Sequence, residues 1–258
     1  MFNILRIASS GIIAQQLALD VVGNNIANLQ TPGFKRSRAD TYDARYAPWN
    51  YAGTEPYPAE AQPHGTAGNG TLSTVMRLTS QGPVLQTGRS LDVAIQGDGF
   101  FEVTLADGRR AYTRDGTFGL DANGRLVTAS GLPVGDIVVP PDATGVRIGA
   151  DGTVRGRRGD VAETVFGQLP LVRFVNPRGL LAIGENLFVP TDNSGAAQPL
   201  DLVTTGGERL LPGSLEGSNV ELSEEFTRMI QAQRAYQANL KVVQTWDELI
   251  STVNSLRR

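Results

Sequence analysis

The sequence predicts an α+β protein in which long N- and C-terminal helices, packed as a coiled coil, flank a central and mostly antiparallel β domain. Three observations predict it. Apolar residues recur in three-and-four steps near the amino end, at Leu5, Ala8, Ile12, Leu19, Val22, Ile26 and Leu29. The spacing returns near the carboxyl end, from Leu222, Phe226 and Met229 through Tyr236, Leu240 and Val243 to Ile250 and Val253. Between them lie short runs punctuated by glycine turns. A seam of that period, sustained over several heptads, fits a helix packed lengthwise against other helices.

The first helix is expected to end near Asn28, because Thr31, Pro32 and Gly33 follow and proline then glycine is a strong stop. Asn24, Asn25 and Asn28 crowd its last turns, where asparagine favours caps and turns over the helix interior. Basic residues cluster at Lys35, Arg36 and Arg38 and again at Arg155, Arg157 and Arg158; beside glycines, both runs read as solvated turns. Residues 42–70 are rich in proline and glycine, yet hold Tyr42, Tyr46, Trp49, Tyr51 and Tyr57, four of six tyrosines and one of two tryptophans. A disordered linker is normally poor in aromatics. The segment is either a loop folded back on its own domain or a contact arm ordered by a neighbour.

From Leu72 to about Leu202 the pattern is β. Asp92–Ile95, Phe100–Leu105, Arg125–Thr128, Asp136–Val139 and Leu169–Val175 read as strands. Asp107-Gly108, Asp115-Gly116, Asn123-Gly124 and Asp151-Gly152 read as hairpin turns, whose positive φ these residues tolerate. In the last helix Ser218 or Asn219 is the expected N-cap, with Glu221, Glu224 and Glu225 near the positive end of its dipole. The predicted division is 1–36 (N-terminal helix), 37–71 (Pro/Gly/aromatic connecting segment), 72–212 (β domain) and 213–258 (C-terminal helix).

Each helix also carries a second stripe. Ile4, Ile7, Gly11, Ala14, Ala18 and Val21 form one in the first helix, with small residues that permit close backbone approach; in the last, Trp246, Leu249, Val253 and Leu256 shift the stripe sideways. Two stripes imply more than one neighbour per helix, so either the β domain covers the second stripe or, as preferred, sister subunits cover what an intramolecular pair would leave exposed.

Composition narrows the function. Across 258 residues the net charge is −3, which gives no electrostatic case for nucleic acid. Cysteine is absent, excluding disulfides, thiolate metal sites and cysteine nucleophiles. The amino end is not a secretory signal: it lacks a lysine-rich start, and Gln15, Gln16 and Asp20 interrupt the apolar run. No segment is expected to reach the ~20 apolar residues of a membrane span, so no membrane insertion is anticipated. The only histidine, His64, has no second imidazole to complete a metal site. Gly213-Ser214-Leu215-Glu216-Gly217 has its serine in the wrong slot for a nucleophile elbow, and Gly65–Gly70 lacks the phosphate-binding lysine. Asp121-Ala122-Asn123-Gly124 lacks the later glutamate of a calcium loop and reads as a turn. No catalytic, cofactor-binding or metal-ligating residue is assigned, and no cofactor is expected. The plentiful carboxylates leave a hydrolase, or a carbohydrate-binding module, as the competing class.

Several blocks resemble the bacterial flagellar rod and hook proteins. Gly23-Asn24-Asn25-Ile26-Ala27-Asn28-Leu29-Gln30-Thr31-Pro32-Gly33-Phe34-Lys35-Arg36 is similar to their N-terminal signature. Leu91-Asp92-Val93-Ala94-Ile95-Gln96-Gly97-Asp98-Gly99-Phe100-Phe101, and Tyr112-Thr113-Arg114-Asp115-Gly116 with Phe118, resemble their shared β-domain motifs. Met229-Ile230-Gln231-Ala232-Gln233-Arg234-Ala235-Tyr236-Gln237-Ala238-Asn239 looks like their C-terminal helix. Within the family the likeness is strongest to the distal rod members, with proximal rod and hook-like members as rivals.

The resemblance implies a non-enzymatic subunit of a helical homopolymer in the basal-body rod, a drive shaft carrying motor torque to the hook. It implies passage through the flagellar type III export apparatus and a place outside the cytoplasmic membrane, periplasmic where an outer membrane exists. Implied partners are copies of itself, other rod and hook subunits, and surrounding ring proteins. The expected assembly interface comprises Leu5, Ile12, Leu19, Val22, Ile26, Phe226, Met229, Tyr236, Leu240 and Val243 from the seams. From the resembling blocks it adds Asn25, Asn28, Phe34, Ile230, Gln233 and Arg234.

Overall fold

The computed structural model describes residues 3–44, 70–159, 161–200 and 208–256. The chain divides into two compact units. One comprises Met1–Ile26, Ser37–Met76 and Glu221–Arg258; the other comprises Ala27–Arg36 and Arg77–Val220. Residues 27–36 thus belong with the β region, and residues 37–76 with the helices.

The first unit holds helix α1, Asn3–Ala27, and helix α2, Leu222–Leu256. At 1.5 Å per residue, the 35 residues of α2 extend about 52 Å. A two-stranded ribbon, Ser37–Asp43 with Thr71–Arg77, carries the chain out and back. It is closed at its outer end by the Ala44 N–H donating to the Gly70 carbonyl at 2.9 Å. Of the aromatic segment only Tyr42 is described, half-exposed on this ribbon; Tyr46, Trp49, Tyr51, Tyr57 and His64 lie outside the described residues.

The start of α2 corrects one expectation. Neither Ser218 nor Asn219 caps it: the Glu225 N–H donates to the Glu221 carbonyl at 3.0 Å, so the first helical turn opens at Glu221. The Asn219 amide is used elsewhere, accepting from Arg36 N–H at 2.7 Å and donating to the carbonyls of Leu78 and Ser80 at 3.1 and 2.9 Å. A capping residue whose side chain serves three backbone groups has none left for the helix.

A second correction concerns membranes. Ile4–Ala27 is long and apolar enough, by length and composition, to span a bilayer, although no segment was expected to come near that limit. Isoleucine, leucine, alanine and valine supply the apolar content around Gln15, Gln16, Asp20 and Asn24. A helix meant for several helical neighbours has the same composition.

The second unit is antiparallel β, as the turn spacing predicts. Its largest sheet, among the described residues, orders six strands as Leu181–Gly184, Leu187–Val189, Arg110–Thr113, Phe100–Thr104, Leu171–Arg173 and Gln198–Pro199. Phe118–Leu120, Arg125–Thr128 and Pro133–Val138 form a three-stranded sheet, and Ala143–Ile148, Thr153–Arg158 and Val161–Gln168 form another. Val93–Gln96 pairs with Arg209–Pro212, and Val84–Gln86 with Ser214–Glu216. The second basic run therefore lies on the strand Thr153–Arg158, not in a turn, and Arg158 reaches Asp142 at 2.8 Å.

Alternation along Phe100–Thr104 splits the core in two. Phe101 and Val103 enter the main cluster with Val93, Ile95, Phe118 and Leu126, and Phe101 meets Phe118 edge-on at 5.1 Å. Phe100 points to the other face, edge-on to Phe174 and Phe188 at 5.7 and 5.9 Å. Strands covered on both faces lose the polar side of the period-two pattern, which accounts for the unbroken apolar run Val93-Ala94-Ile95.

Three of the four dipeptide turns form hairpins, with Gly108, Gly124 and Gly152 at φ of 82°, 75° and 78°. Asp115-Gly116 does not. It joins Arg110–Thr113 of the six-stranded sheet to Phe118–Leu120 of a three-stranded one. Its glycine serves close approach, since a Cβ there would stand 1.7 Å from the Val93 carbonyl oxygen. Gly116→Ala is therefore expected to destabilise the protein by about 2–3 kcal/mol or more, measured as a lowered midpoint in urea by circular dichroism.

Candidate assembly surface

The two helices lie side by side and antiparallel. The Asn25 amide donates to Glu225 Oε2 at 3.0 Å near one end. Further along, a Cβ on Gly11 would come within 2.8 Å of the Asn239 amide nitrogen. The less exposed residues of α2 recur in alternating steps of four and three, at Glu225, Met229, Ala232, Tyr236, Asn239, Val243 and Trp246. On α1, Ile7, Gly11, Ala14, Ala18, Val21 and Asn25 keep the same rhythm. The small-residue stripe of α1 thus faces α2 within one subunit, and Ala14 and Ala232 are buried there.

Asn25 is not a terminal cap. It sits within the helix, 1% exposed, with Oδ1 accepting from Ser37 N–H at 2.9 Å and Nδ2 donating to the Ser37 carbonyl at 2.8 Å. Its amide pairs with the first ribbon residue as a neighbouring strand would. Asn28 does act in the turn, accepting from the Thr31 hydroxyl at 3.1 Å.

Elsewhere on both helices large apolar side chains are exposed among polar ones. Phe226 is 48% and Ile230 51% exposed on α2, and Ile13 is 64% exposed on α1. Leu240, Val242, Leu249, Ile250 and Val253 are exposed as well. Large apolar side chains exposed in such number mark a surface that another molecule can cover.

Of the expected interface residues, Phe226, Ile230, Gln233, Arg234 and Leu240 are exposed on α2. Met229, Tyr236 and Val243 are half-buried in its inward seam, and Leu5, Ile12, Leu19, Ile26 and Asn28 are half-buried. Val22 and Asn25 are buried within the helical unit, and Phe34 within the β unit.

The β unit holds a charged cluster that sequence reasoning missed. Lys35 and Arg36, expected in a solvated turn, are 4% and 7% exposed. Lys35 Nζ donates to Glu216 Oε1 at 2.5 Å and to the Ser80 carbonyl at 2.9 Å. Arg114 donates to Glu216 Oε2 at 3.3 Å, and the Gly82 N–H to Oε1 at 2.9 Å. Arg114 also lies over the Phe100 ring, 4.9 Å from its centroid. Burial pushes the Lys35 ammonium below its ordinary value while the Glu216 carboxylate pulls it back; burial lowers Arg114 likewise. The available signal was Glu216 itself, the one charge within Leu210–Val220, a run otherwise apolar or small. Among the described residues no cluster of His, Cys, Asp or Glu could hold a metal ion.

Comparison with known proteins falls on these same elements. Residues 5–35 match the family model "Flagella basal body rod protein". Residues 94–156 match the "Flagellar hook protein FlgE/F/G D1 domain", and residues 211–256 the "Flagellar basal body rod FlgEFG protein C-terminal". Flagellar basal-body rod protein FlgG of Buchnera aphidicola subsp. Schizaphis graminum is 42% identical over 99% of this chain and 100% of its own. The chain belongs to the flagellar basal-body rod protein family. The FlgG of Borreliella burgdorferi is 40% identical over the full length of both chains. In Caulobacter vibrioides, FlgG is 40% identical over 98% of this chain, whereas the rod protein FlgF is 34% identical over 96%.

In this rod-family chain, Glu216 accepts from two buried cations, Lys35 and Arg114. Glu216→Gln is expected to cost about 3 kcal/mol of stability, because it strands those charges out of water. Equilibrium urea unfolding checks the loss.

Proposed function

We infer that this chain is a structural subunit of the flagellar basal-body rod, in its distal part, polymerising helically with copies of itself. The carrying observation is the conjunction of a helix pair that leaves Phe226, Ile230 and Leu240 exposed with full-length likeness to FlgG relatives. In an assembly the exposed faces of α1 and α2 pack as a coiled-coil tube. Interdigitated helices resist shear because packed interiors deform little, which suits a shaft that transmits torque. The role is mechanical, not enzymatic.

The partners of this reading are sister copies, other rod and hook subunits, the type III export apparatus and the surrounding rings. The site of action lies outside the cytoplasmic membrane, in the periplasm where a cell has an outer membrane. A proximal rod position is the second reading; the higher identity to FlgG than to the rod protein FlgF within one organism supports the distal one. Labelled imaging of isolated basal bodies separates the two, since signal confined to the motor-proximal end would reject the distal position.

Deletion of residues 1–29 is expected to leave the β unit with its circular-dichroism strand signature while abolishing incorporation into rods. Leu240→Asp is expected to change subunit stability by less than about 1 kcal/mol, since Leu240 is exposed in the single chain. In the polymer its carboxylate would be buried without a partner, and assembly should fail. Sedimentation of assembled rods reads the difference.

A further inference from the structure

The helical unit carries two unlike apolar features, one raised and one recessed. Leu222, Phe226 and Ile230 project from the first turns of α2, where Glu221 is also exposed. Toward the other end, Ile4 of α1 with Lys241, Val242, Trp246 and Leu249 of α2 line an open groove of about 460 Å³. The two are separated by roughly 26 Å along α2 and about 140° around it. They therefore occupy opposite ends and opposite flanks of the same helix.

We propose that the Phe226/Ile230 ridge of one copy seats in the Ile4/Val242/Trp246/Leu249 groove of the next, so that the polymer grows head to tail. The inference rests on the rod reading above and names its contact. Shape favours it: a groove against a groove leaves both unfilled, whereas a phenylalanine and an isoleucine side chain supply the bulk the groove lacks. Charge favours it as well. Lys241, on the groove wall, has no ion-pair partner among the described residues. A two-fold dimer through the grooves would set Lys241 against Lys241, and one through the ridges Glu221 against Glu221. Ridge into groove brings Glu221 toward Lys241. A contact between two different patches does not close on itself in pairs; it repeats, giving a ring or a helical filament.

The chain has no cysteine, so introduced thiols report neighbours without background. Rods are assembled from an equal mixture of Phe226→Cys and Leu249→Cys copies and oxidised mildly. The expected result is a disulfide-linked dimer from the mixture and none from either variant alone. Homotypic dimers from a single variant, or no dimer in rods of normal length, overturn the proposal. As a second measurement, Lys241→Glu should slow assembly by about tenfold at low ionic strength, and Glu221→Lys in the same chain should restore it. Failure of that rescue also counts against the contact. If labelled imaging finds no copies in rods, the rod reading itself falls, and the same thiol mixture in concentrated solution still decides the contact.

Discussion

Two helices lying side by side can cover only the strip of each that faces the other. That limit governs the helical unit. The four-three rhythm of α2 places Glu225, Ala232, Asn239 and Trp246 on one strip and commits them to α1. Phe226 and Ile230 lie outside that strip and are exposed in the single chain. An ordinary globular domain would cover such a surface with a sheet or a third helix. Here the chain spends most of its remaining length on a β unit that has its own two cores.

Much of this architecture was legible from spacing. Both helices, the antiparallel β class and three glycine hairpins follow from local pattern, because period and turn chemistry are local properties. The assignment of stripes was not. Leu5, Ile12, Leu19 and Ile26 make the bulkier row of α1, and size alone nominates them for the main seam. The structure instead turns Gly11, Ala14 and Ala18 toward α2, because small side chains let two backbones approach. Which of two apolar rows faces which neighbour depends on the partner's relief, and that information sits more than 200 residues away.

The polar interior was the least legible part. Lys35 and Arg36 beside Gly33 look like a wet turn until Glu216 and Asn219 are brought against them. Asn25 looks like a helix stop until its amide is seen bonded to Ser37 as a strand neighbour. Asp115-Gly116 looks like a hairpin until the Val93 carbonyl fills the space a side chain would need. In each case a residue type with a strong local habit is recruited by a distant group. Burial makes the recruitment binding, since an unpaired polar atom there would be costly.

The Asn25–Glu225 bond has a further consequence, which is one of timing. Its two ends are 200 residues apart. A chain made from its amino end completes every strand through Ser214–Glu216 before α2 exists. During that interval the β unit can close on itself while α1 waits without its mate. The helix that carries the exposed Phe226 and Ile230 is therefore made after the whole of the β unit. A copy that lacks α2 lacks Phe226 and Ile230 and leaves the small-residue face of α1 without its mate.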